Sequence, residues 1–425
     1  MDIQVSASKL RGTVKVPPSK SHTLRAILFA SMSNGISTVR NPLSSPDTEA
    51  MIRACEKMGA EFERKNDSIS VKGCGKIQVP ENTVIDAGNS GQVLRFIAAL
   101  AAIGEHTFTV TGDASICTNR PVGALLDGLE QLGAEVLSSN GHAPIKVRGP
   151  IYPGSIEIDG EDSQPVSGLL IAAAFLPGET EIRVRNPGEL PWVDLTLTWF
   201  DRLGIEYSRK GHEYYRVKGN TTLQAFDYTV PGDFSSAAYP LAAALVTKSS
   251  LMLENLDLED AQGDKAILSV LEEMGAVFEV DSSKKTVRIL PCSELRGVDV
   301  DINHFIDSIT ILSVLACYAQ GRTKIRNAAI ARCKESDRIA VMAKELRAMG
   351  AVLKETPDGL ELHESLLKGT KMYGHKDHRV AMSLAVAAMG AEGPSYISGA
   401  ECIAKSYGDF IRDFQALGAE LEACS

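Results

Sequence analysis

Glu56–Phe62 reads EKMGAEF, and five later stretches nearly repeat it: EQLGAEV at Glu130–Val136, DRLGIEY at Asp201–Tyr207, EEMGAVF at Glu272–Phe278, LRAMGAVL at Leu346–Leu353 and FQALGAEL at Phe414–Leu421. The glycines within them, Gly59, Gly133, Gly204, Gly275, Gly350 and Gly418, are 74, 71, 71, 75 and 68 residues apart. A fixed spacing of this kind means one supersecondary unit copied six times. Each marker closes an amphipathic helix and leads into two short alternating segments joined by a turn, as in AEFERKNDSISVKG (60–73) and AVLKETPDGLELHE (351–364).

A second, more apolar stretch completes each copy: LRAILFASMSNG, VLRFIAALAAIGE, VSGLLIAAAFLPGE, SSAAYPLAAALVTK, SITILSVLACYAQG and VAMSLAVAAMGAEG. Helices apolar nearly all round belong inside a domain, with amphipathic helices and sheets packed about them. The expected architecture is therefore α/β, with six βαβαββ-type repeats, three per domain, around buried apolar helices. The sixth copy ends at LGAELEACS, short of its closing strands, while IQVSASKLRGTVKVP at the start has no helix of its own. The N-terminal strands are therefore expected to complete the last unit. Residues 1–18 and 232–425 would form one discontinuous domain and 19–231 the other, with an active-site cleft between them and crossings near Pro17-Pro18 and Pro231-Gly232.

Composition narrows the function. With 425 residues, 44% of them hydrophobic, the chain exceeds what one core usually supports. A net charge of −10 argues against nucleic acid or an anionic membrane held by general attraction. No apolar run approaches the ~20 residues of a spanning helix, and MDIQVSASKLRG lacks the apolar core of a signal peptide, so a cytoplasmic protein is expected. Eight cysteines without a CxxC pair imply reduced thiols and neither a disulfide frame nor a zinc site.

Each apolar helix begins in polar residues: Lys20-Ser21, Asn89-Ser90-Gly91, Asp162-Ser163-Gln164, Asp233 with Ser235, Asp307, and Asp377-His378-Arg379. Helix N-termini present free N–H groups and a positive dipole end, so several aimed at one place form an anion trap. Ser, Asp and Asn there also serve as N-caps. Lys20 and Arg379 need another reason, because a cation opposes the dipole; an anionic ligand supplies it. Loops entering the marker helices add Arg120, the run Arg332-Cys333-Lys334-Glu335-Ser336-Asp337-Arg338, and Lys405.

PSKSHTLRA (18–26), GNSG (88–91) followed by Arg95, GDASICTNRP (112–121), KESDR (334–338), DHRVAM (377–382) and AKS (404–406) occur in the order and spacing of the 5-enolpyruvylshikimate-3-phosphate synthase family, which the whole chain resembles. The resemblance implies the two-domain enolpyruvyl transferase fold and transfer of the enolpyruvyl group of phosphoenolpyruvate to the 5-hydroxyl of shikimate 3-phosphate, releasing phosphate. It implies no metal ion and no organic cofactor, and a monomer is expected. By motif match, Arg338 and Arg379 would hold the phosphoenolpyruvate carboxylate, as planar guanidinium groups grip paired oxygens. Lys20, Arg120, Gln164 and Lys405 would face its phosphate, with Asn89 in the same loop and Gly91 admitting close backbone approach. Ser21, Arg25, Ser163, Gln164, Lys20, Asp307 and Lys334 would hold shikimate 3-phosphate. The tetrahedral ketal route needs two acid/base groups; Asp307 and Glu335 match the family's carboxylates, with Lys20 also catalytic and His378 an orienting neighbour. Cations from both halves would repel until dianions draw them closed.

Some positions depart from the family. Asp162 and Glu189 stand where phosphate-side serines are usual, Trp192 replaces a Tyr, Ile330 an acceptor-contacting Asn, and Gln92 a Thr. Two acids aimed at a phosphate would cost roughly 4 kcal/mol per like-charge pair at 4 Å under an effective dielectric near 20. Either they cap helices or pair with Arg183, Arg185 or Arg25, or the acceptor is not phosphorylated there. The sister enzyme acting on UDP-N-acetylglucosamine carries a reactive Cys where this chain has Ser115, and Cys117 reads as a packed thiol. An enolpyruvyl transferase for another acceptor is the alternative. A nucleic-acid end-processing enzyme or ring clamp on a related repeat is more remote, because the inner helices are apolar and no aromatic-basic stripe is present.

Overall fold

The structure is a computed structural model that describes residues 1–77 and 79–424. It divides into two compact units, residues 18–230, and residues 1–17 with 231–425.

In the 18–230 unit three apolar helices, Lys20–Ser31, Gly91–Ala101 and Ser163–Phe175, are each buried along almost their whole length. Amphipathic helices Pro46–Lys57, Gly123–Gln131 and Leu190–Leu203 and three four-stranded sheets pack around them. The sheet built from Thr83–Asp86, Thr107–Thr111, His142–Arg148 and Glu135–Ser139 is typical: its first two strands run parallel across the helix Gly91–Ala101, and the last two add antiparallel. A parallel pair needs such a crossover, and the helix supplies it. Helices Gly91–Ala101 and Ser163–Phe175 approach closely because position 168 is Gly; a Cβ there would lie 3.0 Å from the Arg95 carbonyl.

The other unit repeats the plan with helices Phe234–Val246, Ile309–Cys317 and His378–Met389 inside. The marker glycines end their helices at positive φ, between 69° and 105°, the left-handed turn that glycine adopts without steric cost.

Chain closure differs from the sequence expectation in one respect. Strand Asp2–Val5 does complete the sixth sheet, between Ser395–Ser398 and Leu421–Cys424. The sixth copy thus keeps one strand beyond its marker, and the N-terminus contributes one rather than two. The second N-terminal strand, Arg11–Lys15, lies parallel to Ser250–Glu254 and opens the fourth sheet. Asp227–Thr229 plays the same part for the first sheet, beside Ile36–Arg40. Each unit is therefore closed by pairing distant parts of its own chain, and the register makes this possible because Ile3 and Val5 face inward while Asp2 and Gln4 do not.

Among the described residues no helix is long and apolar enough to cross a membrane, and all eight cysteines are free. Cys117 packs against the 18–230 core. Ile3 is fully buried between two partner strands, so Ile3→Ala is expected to lower stability by about 2–5 kcal/mol in denaturant titration. Ile36→Ala, at a position 66% exposed, is expected to stay within about 0.5 kcal/mol.

Candidate active site

The polar helix starts converge within each unit. Five of the six are N-capped by their own side chains: Ser19, Ser90, Asp162, Asp233 and Asp377 accept from His22, Val93, Gln164, Ser236 and Arg379 N–H groups. Capping accounts for those residues and leaves the neighbouring cations and amides to be explained.

In the 18–230 unit the three starts share one hydrogen-bonded patch. Gln92 Nε2 donates to Ser21 Oγ at 3.0 Å, joining the first two helices. Arg95 Nη1 donates to Gln164 Oε1 at 3.1 Å, joining the second and third. Arg120 reaches the same place, and Gly91 is what makes room: a Cβ there would lie 2.8 Å from Arg95 Nη1 and from Gln164 Oε1, and 3.2 Å from Arg120 Nη1. Asn89 Nδ2 is engaged by Asp113 Oδ2 at 2.6 Å, and Lys20 Nζ lies 3.4 Å from Asp47 Oδ2.

Arg25 is a different kind of cation. It is 1% exposed, lies 5.1 Å over the Phe96 ring, and donates to Thr196 Oγ1 and to the carbonyls of Ser21 and Trp192. Among the described residues it has no carboxylate partner, and burial pushes its pKa down to about 9. A desolvated guanidinium of this kind gains from an anion brought alongside.

The expected arginine partners of Asp162 and Glu189 are not the ones found. Asp162 pairs with Arg95 at 2.9 Å while capping its helix. Glu189 accepts from the N–H and Oγ of Ser163 at 3.2 and 3.1 Å. Arg185 instead sits 3.3 Å from Glu157, and Arg25 takes neither acid. The physical reason is position: Arg95 is the residue one turn beyond Gly91 on the adjoining helix, whereas Arg185 is on an outward strand face. Arg95 has no assigned role in the sequence motifs; a lone Arg in an apolar helix is the signal that points to it.

In the other unit four loops meet at Arg338, which is 1% exposed. Its Nη1 donates to Asp307 Oδ1 at 2.6 Å, Nη2 to Glu335 Oε2 at 2.7 Å and Nε to Asp377 Oδ2 at 2.9 Å. Arg379 Nη2 holds Asp307 Oδ2 at 2.7 Å, and Lys405 Nζ holds Glu335 Oε1 at 2.6 Å. Burial alone would raise the Asp307 pKa, but Arg379, Arg338 and Lys334 together hold it well below the usual carboxylate range. Arg338 and Arg379 are correspondingly raised by their carboxylates despite burial. His378 is fully buried with Nδ1 3.7 Å from Asp377 Oδ1. Ile330 is half-buried against the core rather than part of this cluster.

Within each unit the site cations are paired. Lys20, Arg95, Arg338, Arg379 and Lys405 all have a carboxylate of their own unit within 3.4 Å, because leaving such charges buried and uncompensated would be costly. Among the described residues no group of three or more His, Cys, Asp or Glu side chains is placed to hold a metal ion.

Paired units of three repeats, each gathering basic helix starts, define the enolpyruvyl transferase class of fold. The enolpyruvyl transferase NikO of Streptomyces tendae matches it with a TM-score of 0.80 at 18% identity, covering 99% of this chain and 98% of that one, a likeness of fold alone. The chain belongs to the EPSP synthase (3-phosphoshikimate 1-carboxyvinyltransferase) family, whose profile matches residues 5–414. The 3-phosphoshikimate 1-carboxyvinyltransferase of Acetivibrio thermocellus is 42% identical over all of both chains, and that of Chlamydia caviae 43% identical over 99% of this chain and 94% of its own. The EPSP synthase structure from Acinetobacter baumannii matches over all of both chains, at 26% identity and a TM-score of 0.83. The chain is accordingly a transferase.

The pairing makes a stability prediction. Asp162→Ala removes both the cap and the carboxylate beside buried Arg95, with an expected loss of about 3–5 kcal/mol. Asp162→Ser restores the cap and is expected to recover about 1 kcal/mol of it; thermal denaturation at neutral pH checks the order.

Proposed function

We propose that the chain transfers the enolpyruvyl group of phosphoenolpyruvate to the 5-hydroxyl of shikimate 3-phosphate and releases phosphate, on the route to chorismate and the aromatic amino acids. The observation that carries this reading is the Arg338 cluster, in which two carboxylates, Asp307 and Glu335, are gripped by Arg338, Arg379 and Lys405. Two acid/base groups among strong anion-binding cations are what an addition and elimination between dianionic substrates requires.

Binding works by exchange. The phosphoenolpyruvate carboxylate takes Arg338 and Arg379 in place of Asp307, and its phosphate takes Lys405 from Glu335. Freed of two guanidinium groups, Asp307 becomes a stronger base and accepts the 5-hydroxyl proton as that oxygen attacks C2 of phosphoenolpyruvate. Glu335, released from Lys405 and Arg338, takes up a proton from water and passes it to the vinyl carbon, ending the step as a carboxylate again. In elimination the methyl group returns a proton to a carboxylate, the C2–O bond to phosphate breaks, and the double bond re-forms. Lys20, Asn89, Gly91, Arg120 and Gln164 serve the phosphoenolpyruvate phosphate, Lys334 positions the acceptor, and His378 holds the Asp377–Arg379 turn.

The acceptor's phosphate belongs with Ser21, Arg25 and Ser163. Arg25 contributes most, since it is buried without a carboxylate among the described residues. Glu189 is a competitor there, because its carboxylate already occupies the Ser163 amide and hydroxyl. The protein works as a cytoplasmic monomer.

Phosphate should be released from phosphoenolpyruvate when shikimate 3-phosphate is present and not with unphosphorylated shikimate; release with shikimate alone would reassign the acceptor. Asp307→Ala and Glu335→Ala are expected to lower kcat about 10²–10⁴-fold with unchanged circular dichroism. Glu189→Ser is expected to lower the KM for shikimate 3-phosphate about tenfold, the equivalent of one charge-assisted hydrogen bond returned to the ligand.

A further inference from the structure

Asp264 lies in the turn Gly263–Ala266 and is 0% exposed. Ser235 Oγ donates to its Oδ2, while its Oδ1 is buried with no hydrogen-bond partner. The turn packs against Asn303–Ser308, which carries Asp307, and against helix Phe234–Val246, which carries Ser235. A carboxylate with one oxygen unsolvated and unbonded, beside a second carboxylate, is a poor place for a negative charge.

Resting on the reading of Asp307 as the base, we infer that Asp264 is a positioning residue that works in its neutral carboxylic-acid form, leaving Asp307 the only ionised member of the pair and keeping it docked on Arg338 and Arg379. Arg379, which holds Asp307 Oδ2 at 2.7 Å, is also the cation whose charge acts on Asp264. If both were ionised, the guanidinium would be shared and Asp307 would be drawn from the position in which it meets the acceptor hydroxyl. The groups facing Asp264 support this assignment. Burial, then the negative Asp307, raise its pKa to about 7, with Asp233 adding to the rise; Arg379 and the Ser235 hydroxyl act against it.

Asp264→Asn mimics the protonated acid and tests the inference by two readouts. A carboxyl raised in the folded state makes the folded protein bind more protons than the unfolded one, so wild-type stability falls as pH rises from about 4 to about 7. The Tm of D264N is therefore expected to gain on wild type across that window and to hold its advantage above it. A Tm difference that does not change with pH overturns the inference. In turnover, substrate ionisation is common to both proteins, so the ratio of D264N to wild-type kcat/KM is expected to rise above about pH 7, approaching tenfold per pH unit. A flat ratio overturns it. Should D264N fail to fold, Ser235→Ala removes a donor that favours the ionised form, and the alkaline limb is expected to move to higher pH; an unmoved limb overturns the inference. If wild type releases no phosphate with these substrates, the proposed function fails, and the Tm comparison still decides the state of Asp264.

Discussion

Arg338 can be buried only because three carboxylates surround it. An isolated guanidinium at 1% exposure would carry a desolvation penalty that packing cannot offset, and the hydrogen bonds to Asp307, Glu335 and Asp377 remove it. These acids come from three different repeats or loops, so the cluster also fixes how the repeats of that unit approach one another. Function draws on the same bonds. In the exchange proposed above, a ligand with a carboxylate and a phosphate replaces the internal acids without leaving a cation bare, and this would make an electrostatically closed site open to exchange.

The two units solve the burial problem differently. Around Arg338 the cations have internal partners, and the ligand binding proposed there is substitution. In the 18–230 unit Arg25 is satisfied by a hydroxyl, two carbonyls and an aromatic face, all neutral. It therefore retains unspent affinity for an anion, whereas Arg95, only 69 positions before Gln164 and hydrogen-bonded to it, has spent its own on Asp162. The two acids that depart from the family pattern are consequently not equivalent. Asp162 stabilises the fold through Arg95, and Glu189 holds the amide and hydroxyl of Ser163 that a phosphate would use.

The architecture makes such clusters possible by threefold repetition. Each unit brings three buried helices together at their N-terminal ends, where backbone N–H groups are unspent. The buried helices can be small-residue rich and closely packed, as at Gly168 against Arg95, so side chains from neighbouring helices are within hydrogen-bonding reach. Closure by Asp2–Val5, Arg11–Lys15 and Asp227–Thr229 ties distant parts of each unit's chain into its first or last sheet and holds these ends in register.

By itself the sequence determined the repeat, the α/β class and the inner helices, because marker glycines at constant spacing and runs apolar on every face are local facts that survive without coordinates. It also determined which residue types stand at the helix starts, since a Lys or Arg against the dipole needs a reason wherever it folds. Only the tertiary structure decided partnership. That Asp162 meets Arg95 rather than Arg185, that Arg11–Lys15 joins the fourth sheet and not the sixth, and that Asp264 is buried behind Asp307 all depend on contacts between residues tens to hundreds of positions apart. Charge pairing and desolvation are set by distances through space, and a sequence period fixes only distances along the chain.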